Sequence, residues 1–123
     1  MKIIPIVGLL CVVSTGALGM PLGQKTYQIA CQHCHAPTMA KGMHAPAALD
    51  QQAWNKRFKQ AAFEVKKNPT RYPSVMGYLL SHVKTGKGLM HHGGLCNESD
   101  APNKDCSDKA LLAAIQYMSQ HDE

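Results

Sequence analysis

Aromatic residues make up only 6% of the 123 positions, and no β-strand pattern emerges. Nothing in the sequence argues for a sheet. Internal repeats, low-complexity tracts and glycine-rich phosphate loops are missing too, so the chain carries no signature of a phosphate-cradling site. Acidic residues are scarce, 8 against 13 Lys and Arg. The positive excess is nevertheless mild and scattered, with no basic run interleaved with aromatics, which argues against nucleic-acid binding. The length allows one small domain and is too short for two. The apolar periodicity that remains is helical, and the expected fold class is all-α, about four helices.

The most informative stretch is Cys31-Gln32-His33-Cys34-His35. C-x-x-C-H is the attachment signature of a c-type haem. Two residues between the cysteines set both sulfurs at one edge of a porphyrin on about one helical turn. The thiols of Cys31 and Cys34 add across the haem vinyl groups, and the adjacent His35 ligates the iron. A zinc site would want about four Cys or His ligands at short spacings, whereas Cys96 and Cys106 lie far along the chain. A thioredoxin-like pair would want a βαβ context, and none is present. The expected cofactor is therefore one covalently bound haem c.

The beginning of the chain reads as an export signal. Lys2 supplies a minimal positive region, Ile3 to Val13 an apolar one, and Ala17-Leu18-Gly19 the small residues of a cleavage site. Cleavage is expected before Met20, giving a signal peptide over 1–19 and one domain over 20–123. The alternative is an uncleaved anchor, but Ile3 to Gly19 is short of the roughly 20 residues a spanning helix uses. Leu10 before Cys11 stands where a lipoprotein signal requires a small residue. Without Cys11 four cysteines remain, an even number that suits an oxidising compartment. With Cys31 and Cys34 committed to haem, Cys96 and Cys106 are left to pair as a disulfide or to stay as two free thiols. Loss of Lys2 lowers the formal charge from the full-chain +5, and two propionates would lower it to about +2.

Along the mature chain, Gly23 to Cys34 reads as a helix carrying Tyr27, Ala30 and Cys31 on one side, and Gly23 leaves room for another helix to approach. The Pro-, Gly- and Ala-rich segment from Ala36 to Leu49 reads as loop. In it, the Pro46 carbonyl is a candidate acceptor for the second ring nitrogen of His35. Asp50 is a good N-cap for a helix running to about Lys67, whose Trp54, Phe58, Ala61 and Val65 form an apolar stripe. Trp54 is expected to pack on the haem, its indole N–H seeking a partner such as a propionate. Arg57 is a candidate for the same propionate or is simply solvated. Met76, Leu79, Leu80 and Val83 imply a third helix ended by Gly86 and Gly88. Leu89-Met90 follows in an irregular stretch suited to presenting a distal ligand. Ser107 caps the last helix, in which Leu111, Leu112, Ile115 and Met118 form the buried stripe and Tyr117 is placed to cross onto Gly23 and Tyr27.

Taken together, these residues resemble a class I c-type cytochrome, and most closely the cytochrome c5 family. The resemblance rests on Gly23, Tyr27 and the haem motif, on His44-Ala45-Pro46, on the helix bearing Trp54 and Arg57, on Gly86-Lys87-Gly88-Leu89-Met90, on Cys96 with Cys106-Ser107-Asp108, and on Ile115 to Met118. It covers nearly the whole mature chain. The family usually follows its ligand methionine with proline, whereas His91 and His92 follow Met90 here, so Met90 is the expected distal ligand and either histidine the alternative. Two segments, between Arg57 and Met90 and between the late cysteines, are longer than usual.

The resemblance implies a periplasmic, monomeric electron carrier of a respiratory chain. It would not be an enzyme, would cycle between ferric and ferrous iron, and would meet membranes only through its donor reductase and acceptor oxidase. Rival readings are a haem enzyme or ligand sensor with an open or histidine-ligated distal site, and a haem subunit of a membrane oxidase complex.

Replacing Cys96 and Cys106 by serine should lower stability to chemical denaturation by roughly 2 to 3 kcal/mol, the loop-closure value for so short a bridge. An unchanged midpoint would mean that the two thiols are free.

Overall fold

The computed structural model describes residues 19–121; apart from Gly19, the expected signal, with Cys11, lies outside them. Six helices follow in order: α1 Leu22–Ala30, α2 Gln32–His35, α3 Pro37–Ala40, α4 Gln51–Lys67, α5 Val75–Thr85 and α6 Asp108–Ser119. Among the described residues there is no strand, only an isolated bridge between Lys87 and Met90. The fold is all-α, with α1, α4, α5 and α6 as its longer helices.

The expected first helix is divided. Cys31 adopts φ −123°, leaving the helical region while its N–H still bonds the Tyr27 carbonyl, and α2 restarts directly behind it. Ala36 is extended, as a residue before proline is driven to be, and Pro37 then opens α3 at its first position. The 36–49 segment expected as loop therefore contains one short helical turn.

Caps behave as their chemistry dictates. Asp50 accepts from the Ala53 N–H at 3.1 Å, Ser74 from Gly77 at 2.9 Å and Ser107 from Ala110 at 3.3 Å. α4 buries Trp54 and Ala61, with Phe58 and Val65 half-buried beside them. α6 buries Ala110, Leu111, Ala114, Ile115 and Met118. Leu112, expected in that stripe, is only half-buried, because Ala114 shares the inward line with Leu111 and Met118 at helical spacing.

The main crossing is α1 against α6. Tyr27 and Tyr117 meet with ring centroids 5.2 Å apart, and a side chain on Gly23 would run into the Ala113 carbonyl oxygen and approach Tyr117 Cβ to 3.2 Å. A second glycine repeats the device at the other end of α1. Gly94, at φ +61°, lies so close to the Ala30 carbonyl that no Cβ would fit, and the next N–H, of Leu95, bonds that carbonyl at 2.9 Å. The Cys96 and Cys106 sulfurs sit 1.97 Å apart across a Cα separation of 5.8 Å. Lys84 and Asp108 pair at 2.9 Å between α5 and α6, a solvent-exposed contact of little energetic weight.

Gly23→Ala should destabilise the protein by about 1 to 3 kcal/mol, the usual cost of overpacking a tight contact, despite the better helix propensity of alanine. Denaturant unfolding measures this, and an unchanged midpoint would show that α1 and α6 separate freely.

Candidate functional site

The elements enclose a cavity of about 660 Å³, within the range of small-molecule and cofactor pockets. Its walls are apolar. Ala30, Cys31, Cys34 and His35 come from the α1–α2 end, Trp54 and Ala61 from α4, Leu79 and Val83 from α5, Leu89 and Met90 from the following turn, and Ile115 and Met118 from α6.

His35 stands on one wall. Its Nδ1–H donates to the Pro46 carbonyl at 2.8 Å, which fixes the tautomer and leaves Nε2 with its lone pair free to ligate. Burial pushes its pKa below the ordinary histidine value; the Arg57 charge adds to the shift and the Pro46 carbonyl opposes it. The ring is thus held neutral, the form that binds a metal. Beside it lies Trp54, its ring stacked at 6.0 Å between centroids.

The two cysteines of the motif are not bonded to each other. Burial, reinforced by neighbouring Cys34, pushes the Cys31 thiol up to about 12. A dithiol oxidoreductase needs the opposite, a thiolate stabilised at neutral pH. Among the described residues, no three His, Cys, Asp or Glu converge in a way that could hold a metal ion, which leaves a zinc centre without ligands. Two thiols and a neutral imidazole on the wall of an apolar cavity are a donor set that fits a haem.

Two of the expected donors have backbone partners. The Trp54 indole N–H donates to the Ala47 carbonyl at 2.9 Å, so it has no free donor for a propionate. Arg57 is exposed and donates to the His44 carbonyl at 2.9 Å. Both side chains still line the cavity, and both are anchored to the segment that carries Pro46.

Met90 is half-buried and held by paired backbone bonds, Lys87 N–H to its carbonyl at 3.1 Å and its own N–H to the Lys87 carbonyl at 2.9 Å. Gly86 and Gly88, at φ +78° and +59°, make this tight turn possible. His91 also borders the cavity, its Nδ1 engaged by Glu98 at 2.9 Å. His92 is exposed and does not line the cavity. Met43 reaches it, whereas Met39 and Met76 do not; His33 is exposed on its rim. Reading the sequence missed Tyr78 and His82 on the cavity wall, their rings 4.2 Å apart. Their spacing of four, beside Leu79 and Val83, was the available signal.

Residues 19–118 match the family model for cytochrome C oxidase, cbb3-type, subunit III. Comparison with curated proteins and with solved structures finds no match. Among the described residues the matched span takes in the helices, save the last residue of α6, and the whole cavity wall. The chain therefore belongs to this family: it is a class I c-type cytochrome that carries covalently bound haem c.

Proposed function

We propose that the protein is a monohaem electron carrier in which Cys31 and Cys34 would hold the cofactor through thioethers and His35 and Met90 would ligate its iron. The observation that carries this reading is that His35, oriented through Pro46, and Met90, fixed by its pairing with Lys87, line one apolar cavity. Iron with both axial positions filled is a poor catalyst and a good relay, so the protein is read as a carrier, not an enzyme. A thioether ligand favours the ferrous state and raises the potential relative to two imidazoles.

A c-type cytochrome exchanges electrons with redox partners; for this chain we infer a donor reductase and a terminal oxidase or other acceptor. Leu89, 65% exposed, and the exposed Lys87 stand beside the cavity, and such lysines would steer weak, short-lived docking onto acidic patches. Export with cleavage after Gly19, a periplasmic location, and a Cys96–Cys106 disulfide complete the proposal. So does kinship with the soluble cytochrome c5 family, supported by the Gly86-Lys87-Gly88-Leu89-Met90 turn and the late cysteines. The description of the matching family supports a second reading, a haem subunit of a membrane oxidase. Cell fractionation separates the two: a soluble pool belongs to the carrier and exclusive co-purification with an oxidase to the subunit.

The decisive experiment is spectroscopic. The oxidised protein should show the weak red charge-transfer band of methionine bound to ferric haem, and Met90→Ala should abolish it and admit carbon monoxide to the reduced iron. A parent protein that lacks the band and binds carbon monoxide rapidly would replace the carrier by an open-site haem protein. Electron-transfer rates with a redox partner should fall as salt rises; rates indifferent to salt would remove the steering.

A further inference from the structure

α4 turns its apolar stripe of Trp54, Phe58, Ala61 and Val65 toward the protein, and the opposite side of the helix is basic. Lys56, Lys59, Phe63 and Lys66 succeed one another at spacings of three or four along that outward side, Lys67 adjoins Lys66 four residues after Phe63, and all are exposed. α4 alone carries five of the chain's 13 Lys and Arg, with Glu64 its only acid. Phe63 sits in the middle of this cationic ridge and is 58% exposed. Its ring is not tucked back onto the protein; the Lys67 ammonium lies 4.3 Å above it. Glu64, on the flank, is paired with Lys67 at 3.6 Å. From Lys56 to Lys67 the ridge runs roughly 17 Å at the helical rise.

We propose that this face is a peripheral docking surface for anionic lipid headgroups, with Phe63 inserted among the acyl chains at the interface. Charge complementarity calls for an anionic partner, and shape selects which kind. The ridge is the convex outer side of a helix, and none of its residues lines the cavity of the candidate site, so it is not shaped around a protein partner's side chains. A fluid anionic surface needs none: it spreads over a row of lysines and accepts a protruding ring, the arrangement by which amphipathic helices lie in the membrane plane. No helix among the described residues is long and apolar enough to cross a membrane, so contact through them is of this peripheral kind. The proposal does not depend on which residue is the distal ligand.

The test is sedimentation of the purified haem-loaded protein with vesicles of phosphatidylcholine alone or mixed with phosphatidylglycerol, at low and raised salt. Binding should require phosphatidylglycerol and weaken with salt, and each lysine changed to glutamine among Lys56, Lys59, Lys66 and Lys67 should cost about fivefold in partitioning. Phe63→Ser should weaken binding about tenfold or more, with the haem spectrum and helical circular dichroism unchanged. Because residues 1–19 are themselves apolar, comparison among variants, not the parent alone, decides. Equal binding to both vesicle types, or binding indifferent to all five substitutions, would overturn the proposal. So would variants that keep their partitioning but lose electron-transfer rate with a protein partner, which would make the ridge a protein-docking face.

Discussion

The hydrogen bond from His35 Nδ1–H to the Pro46 carbonyl is the contact around which the proximal side is built. Its acceptor sits in a segment the chain does not adopt at ease: His44 and Leu49 have φ of +53° and +67°, a region that costs a residue with a side chain on the order of 1 kcal/mol or more. Four further bonds hold the segment in place, and one ring contact covers the ligand itself. Arg57 takes the His44 carbonyl, Trp54 takes that of Ala47, Ala48 donates to the His35 carbonyl, Leu49 to that of Met118, and the Trp54 ring covers the imidazole. The helix that supplies the wall therefore also fixes the ligand's orientation.

The opposite side is suspended from the same helix that leads into the cysteine motif. Gly94 brings the chain against the last carbonyl of α1, Gly93 bonds the Val83 carbonyl at 2.7 Å, and the Met90 turn lies just before them. Cavity width is thus set by backbone contacts instead of side-chain packing. This suits a chain of this size, whose modest core is arranged largely as the lining of a site.

Much of this architecture was legible in the sequence. The N-caps at Asp50 and Ser107, the stripe from Trp54 to Val65 and the close approach at Gly23 depend on local chemistry and helical period, and so could be read without a partner in view. The juxtaposition of His35 with Pro46 came through resemblance as much as through residues. What escaped reading was decided by tertiary competition. The Ala47 and His44 carbonyls that take up the Trp54 indole and one Arg57 nitrogen belong to a segment whose path no local pattern announces. The break at Cys31 leaves no mark in propensity, and Tyr78 and His82 were hidden in a helix whose Leu and Val residues already accounted for its inward face.

The state of Cys31 bears on how the protein is made. Cys31 lines the cavity, and while its thiol is still free, burial in the completed fold pushes it up to about 12, which makes that sulfur a poor nucleophile there. In an extended chain the same thiol ionises near its ordinary value and is open to approach. The same sulfur is therefore the better nucleophile before the fold closes than after it.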